Sequence, residues 1–179
     1  MNSLTTQSLF ADLVTLKRRL AASLVNQAWS GGPAFARKTR RWLTRLRPDG
    51  RWQDIDYKDQ SMMGEWRAAV HLGRMEALAA ARRLSVGAQR RTLEAGAMRA
   101  LDAWLRNDFT NPNWWWNQIG VPQGLGHALV LLEDLLTPEQ LSAGLRILAR
   151  NDWSKHTGQN LAWGTGIQIV RGCLAGRMD

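Results

Sequence analysis

Asn113-Trp114-Trp115-Trp116-Asn117 constrains this chain more than any other stretch. Three consecutive tryptophans cannot all enter one core. Neighbours on a helix point about 100° apart, and neighbours on a strand alternate faces. At least one indole therefore faces solvent, a partner or a ligand. Asn111-Pro112-Asn113 reads as a loop entry, and Gly120 with Pro122 reads as punctuation before the next helix. An aromatic group on a loop that opens a helix makes a binding platform. The other reading is a corner where two indoles plug the core and one is incidental. Spacing alone leaves both open.

Elsewhere the apolar residues recur with helical period. Leu9, Leu13, Leu16, Leu20 and Leu24 mark one face of a first helix, which Gly31-Gly32-Pro33 ends. A second helix carries Phe35, Trp42, Leu43 and Leu46 on one side and Arg37, Lys38, Arg40, Arg41 and Arg45 on the others. Pro48 to Tyr57 is a turn with a short irregular segment. A long helix is expected over 62–84 and another over 88–107, followed by the tryptophan loop. Leu125 to Leu136 is strongly apolar, and Thr137-Pro138-Glu139-Gln140 is a capping box with proline at the first helical position. A polar loop over 151–159 precedes a last helix that starts at Asn160 or Leu161. Nothing alternates at period two for long enough to build a sheet. The expectation is a single all-α domain over 1–179, about seven helices in antiparallel hairpins. In stacked hairpins the loops near 107–119 and 151–160 emerge on the same side, bringing the tryptophans towards Asn160.

The side-chain inventory excludes several chemistries. No zinc spacing, phosphate-binding glycine loop or nucleophile elbow is present, so no metal or cofactor is expected. His71 reads as a satisfied core histidine, and Asp54 with Asp56 as capping carboxylates. Cys173 is the only cysteine, which rules out a disulfide within the chain. Met1 to Leu20 lacks the pattern of a signal peptide, and no apolar run approaches a membrane span. The net charge of +9 is concentrated in residues 1–106. A basic, tryptophan-rich surface suits single-stranded nucleic acid or an acidic polysaccharide, and composition does not separate the two.

Four segments do. Asp49-Gly50-Arg51-Trp52-Gln53-Asp54-Ile55-Asp56-Tyr57, Trp66 through Arg74, Asn113 through Gln123, and Thr157-Gly158-Gln159-Asn160-Leu161 follow one another in a telling order. From about Trp42 to Gly176 the chain resembles polysaccharide lyase family 8, which holds the hyaluronate, chondroitin AC and xanthan lyases. The resemblance implies helical hairpins forming part of an incomplete α/α toroid, and cleavage of uronic-acid polysaccharides by β-elimination. It implies that Trp114 and Trp115 orient the polymer and that Asn160 is the catalytic asparagine, with Trp153 near the place of a third aromatic. It also implies an acidic polysaccharide partner, and extracellular or periplasmic location.

The family's catalytic histidine and tyrosine follow the asparagine by several tens of residues, and no residue of this sequence matches them. Tyr57, the sole tyrosine, belongs to an upstream segment. The expectation is therefore a truncated N-terminal portion of a toroid that retains part of the cleft and is inactive alone. A non-catalytic polysaccharide-binding remnant is the alternative, and a basic nucleic-acid-binding helical protein a more distant one. Helix faces left uncovered would favour self-association.

Overall fold

The computed structural model describes the backbone of residues 3–176 and the side chains of residues 11–176. Met1, Asn2 and Arg177 to Asp179, which the single-domain expectation takes in, and the side chain of Leu9 lie outside it. Seven α-helices and no strand are present among the described residues. The first two, α1 (Ser3–Trp29) and α2 (Gly32–Thr44), meet at the Gly31-Gly32-Pro33 junction expected from the sequence. Leu46 falls beyond α2. It forms an isolated antiparallel bridge with Trp52, closing a turn around Gly50.

The helix expected over 62–84 is shorter, because Asp59 holds the preceding chain in a turn. Its carbonyl accepts from Trp66 Nε1 at 2.9 Å, and its carboxylate accepts from the Arg67 amide at 2.8 Å. A 3-10 turn, Arg67–Ala69, then leads into α3 (Val70–Arg83). The remaining helices are α4 (Gly87–Asn107), α5 (Val121–Leu132), α6 (Pro138–Leu148) and α7 (Gly158–Ala175). The capping box opens α6 as read: the Gln140 amide donates to Thr137 Oγ1, and the Thr137 amide to Gln140 Oε1.

Helix α5 is apolar almost all round, so it must be covered from several sides. It packs against α1, α3, α6 and α7, and Leu125, Ala128, Leu129 and Leu131 are fully buried. Gly144 lets α6 approach closely, since a Cβ there would sit 2.5 Å from Leu129 Cδ1. At the end of α5, Arg83 donates to the carbonyls of Leu131 and Val130, which the helix itself leaves free. Arg82 is buried, and Glu94 and Asp134 both accept from its guanidinium. One cation thus ties α3, α4 and the turn after α5.

The buried polar groups beside Trp52 form one relay. The Trp52 amide donates to the Tyr57 hydroxyl oxygen, which lies 2.9 Å from His71 Nδ1, while His71 Nε2 lies 2.9 Å from the Ala100 carbonyl. A carbonyl only accepts, so Nε2 carries the proton and Nδ1 accepts from Tyr57. His71 is the satisfied core histidine expected, with Trp52 and Trp104 against its ring. Burial pushes its pKa down to about 4 from 6.5. Between those two values the unfolded chain takes up a proton that the folded chain refuses. Stability is thus expected to fall with falling pH by ~1.4 kcal/mol per unit from about pH 6.5 to 4, and His71 adds no further loss below that. Urea midpoints measured across this range check it; a slope no steeper than that of His71→Gln contradicts it.

Candidate functional site

The tryptophan segment is held by its asparagines. The Asn111 amide donates to Asn117 Oδ1, and Asn117 Nδ2 returns a bond to the Asn111 carbonyl. Asn111 Oδ1 accepts from the Asn113 amide, and Asn113 Oδ1 from the Trp115 amide. Both side chains also donate outward, Asn111 to the Ser61 carbonyl and Asn113 to that of Met62. Short amide side chains of this kind satisfy backbone groups that no regular element serves. The asparagines of the motif are therefore the frame of the loop, a role that spacing did not reveal.

Gly120 and Pro122 do not break the chain as expected. Trp114 and Trp115 begin a helical segment, Trp116–Gly120 forms one π turn, and the backbone runs straight on into α5. The Val121 amide reaches back to the Trp116 carbonyl. Pro122 has no N–H to offer the carbonyl of Gln118. The side-chain amide of Asn151 takes its place, donating to that carbonyl at 2.9 Å. Asn151 is buried, and Gln168 of α7 donates to both its carbonyl and its Oδ1. The two loops do emerge together, as the hairpin phase predicted, and Asn151 joins them.

The three indoles diverge. Trp114 is 48% exposed and lies on His156, with ring centroids 5.4 Å apart and planes 25° apart. Trp115 is half-buried, edge-on to Trp116 at 5.0 Å and to Trp163 at 5.6 Å. Trp116 turns inward against Trp66, which continues to Trp104 in the core. A Cβ on Gly120 would fall 2.5 Å from Trp116 Cε3 and 2.7 Å from Trp115 Cζ3, so only glycine lets both rings lie down here. One indole of the run is presented and two are packed.

Across from Trp114, a 3-10 turn, Trp153–Lys155, leaves Trp153 49% exposed. Helix α7 starts at Gly158, two or three residues earlier than expected, with Gly158 at φ 55°. Asn160, partly buried, therefore sits in its first turn rather than at its edge. That turn holds no carboxylate, and the Thr157 side chain does not cap it. Its amides form the positive end of an 18-residue helix. Asp54 is neutralised at a distance from all this: it accepts two bonds from Arg74 and one from Arg45, and its carboxyl is held down at about 2. Asp56 accepts from the Lys58 amide, a turn-capping role.

Residues 35–169 match the model of the N-terminal alpha-helical domain of polysaccharide lyase family 8. The chain belongs to that family. It is 32% identical over 97 residues to chondroitinase-AC of Pedobacter heparinus, across 50% of this chain and 13% of that protein. A chondroitinase AC lyase solved with oligosaccharides superimposes with a TM-score of 0.72 at 23% identity, covering 88% of this chain and 24% of that one. The Paenibacillus xanthan lyase gives 0.67 at 20% identity, covering 97% and 18%. The all-helical hairpin fold is thus that of the α/α toroid lyases, and the chain spans less than a quarter of the length of each of these relatives.

Asn151→Leu leaves the Gln118 carbonyl without a donor and frees Gln168. It is expected to cost ~1–3 kcal/mol in chemical denaturation. A variant as stable as the parent would show that the two loops are joined by packing alone.

Proposed function

We propose that this chain binds an acidic polysaccharide of the uronate-containing type, with Trp114 as the stacking surface and Asn160 facing the uronate carboxylate. The observation that carries the reading is the open Trp114 indole, pinned on His156, which lies four residues before Asn160 at the start of α7. An indole face suits the apolar face of a sugar ring. The uncapped start of α7 suits an anion, because free amides and the helix dipole both favour negative charge there. The basic first half of the chain adds long-range attraction for a polyanion. Trp115, half-buried beside Trp114, fixes the base of the platform and offers an edge to the polymer.

In the β-elimination that the family resemblance implies, removing the proton next to a uronate carboxylate builds charge on the carboxylate oxygens. An amide donor at Asn160 stabilises that charge more as it develops than before. The proton itself needs another agent, and Tyr57 and His71 are engaged elsewhere. Tyr57 is locked between Trp52 and His71, and burial pushes its pKa up to about 12. His71 is fully buried in the same relay. On this reading the chain as given holds the polymer without cutting it. A polymeric substrate places this work in extracellular or periplasmic space.

Calorimetry with chondroitin and the chain as given is the test. Trp114→Ala should weaken binding about 10-fold, equivalent to ~1.4 kcal/mol, while Asn160→Ala changes it little. Ultraviolet absorbance of an unsaturated uronate should not appear. Its appearance would overturn the assignment of binding without cleavage, and unchanged affinity in Trp114→Ala would overturn the platform. Equal affinity for single-stranded DNA, with a steep salt dependence, would point to a nucleic-acid ligand instead.

A further inference from the structure

Met62 and Met63 stand side by side in the turn that precedes α3, 57% and 89% exposed. Two neighbouring apolar side chains held in water mark a surface that something covers. The turn is pinned along its length. Asp59 holds Trp66 and Arg67 at its far end, and the Gln60 side chain donates to the Thr110 carbonyl. The Ser61 and Met62 carbonyls accept from the side chains of Asn111 and Asn113. We infer that Met62 and Met63 form a second, apolar wall of the polymer groove, taking the acetamido methyl of a neutral sugar that neighbours the uronate.

One side chain places this wall beside the platform. Asn113 Nδ2 donates to the Met62 carbonyl at 3.1 Å, while its Oδ1 accepts from the Trp115 amide at 3.0 Å. The backbone of Met62 and the residue that precedes Trp114 are therefore held together. A Cβ on Gly64 would meet nothing within 4 Å, so the tip of the turn stands clear of the protein. Its chemistry selects the occupant. Ser61 to Gly64 carries no ionisable side chain, and the charges of Lys58, Asp59, Glu65 and Arg67 around it cancel. A carboxylate laid on thioethers loses its water and gains no donor, so this wall disfavours a uronate. A methyl group gains by leaving water, and the flexible methionine chain adapts to its shape. Among the described residues, no backbone carbonyl accepts from the Met63 or Gly64 amide. These donors suit the carbonyl oxygen of the same acetamido group. In a polymer that alternates uronates with neutral acetamido sugars, the uronate then faces Asn160 and its neighbour faces the methionines.

The inference rests on the reading of Trp114 as a polysaccharide platform, and nuclear magnetic resonance separates the two. The whole chain, with its methionines labelled at the ε-methyl carbon, is titrated with chondroitin. The Met62 and Met63 methyl signals should shift, with Overhauser contacts to the acetamido methyl protons rather than to the uronate ring. Replacing both residues, Met62→Ser with Met63→Ser, should weaken binding at least three-fold. Both side chains are exposed and the pinning bonds use backbone carbonyls, so the double variant keeps the fold. Three results overturn the methionine wall and leave the Trp114 platform standing: chondroitin bound with both methyl signals unmoved, contacts to uronate protons alone, or a double variant that binds as the parent does. Absence of chondroitin binding by the parent chain overturns both readings.

Discussion

A proline inside a helix removes one donor, and here that missing donor organises the site. Pro122 leaves the Gln118 carbonyl without its usual partner, just where the chain turns from the tryptophan loop into the most buried helix. Burying an unpaired carbonyl is costly, so the fold must supply a donor from elsewhere. It comes from Asn151, some thirty residues on, at the end of α6. Because Gln168 grips the same asparagine, the segment carrying Trp114 and the helix carrying Asn160 are referred to one side chain. Hydrogen bonds through Asn151 thereby join a geometry that the Trp114–His156 and Trp115–Trp163 contacts also pack.

The rest of the molecule supports that junction by pairing most of its buried polar groups, although Arg82 Nε and Arg74 Nε are left without a partner among the described residues. Arg82 is surrounded by two carboxylates, and Arg83 serves the free carbonyls at the end of α5. His71 and Tyr57 satisfy one another and two backbone groups. Arg74 holds Asp54 while lying over Trp42 and Trp52. Several of these side chains are types that elsewhere carry out acid–base chemistry, and here they are spent on architecture. Trp114 and Trp153 stay exposed, and the start of α7 stays uncapped.

The all-helical fold was legible in the sequence because leucines at helical spacing and one strong capping box report burial directly. So was the meeting of the two loops, which follows from hairpin phase. The boundaries were less so, and for particular reasons. The early residues of the 62–84 stretch look helical by period, but Asp59 captures the Arg67 amide and the Trp66 indole, a contact that periodicity cannot encode. Gly120 and Pro122 look like a stop because their local preferences are against a helix. The donor that overrides them is distant in sequence. Asn111 and Asn113 read only as a loop entry and Asn151 only as part of a polar loop, since asparagine in a loop ordinarily signals a turn. Clustering of several asparagines around one tryptophan run was the available clue.

The π turn at Trp116–Gly120 has a consequence for how such a surface can change. A π turn holds one residue more than an α turn, so everything upstream is rotated by about 100° relative to the helix that follows. The buried pattern of α5 and the outward direction of Trp114 are therefore set independently, with the extra residue acting as a phase step between them. A single-residue deletion in that turn would leave the core helix intact and swing the presented indole to another bearing. The platform is in this sense indexed to the core by a count of residues.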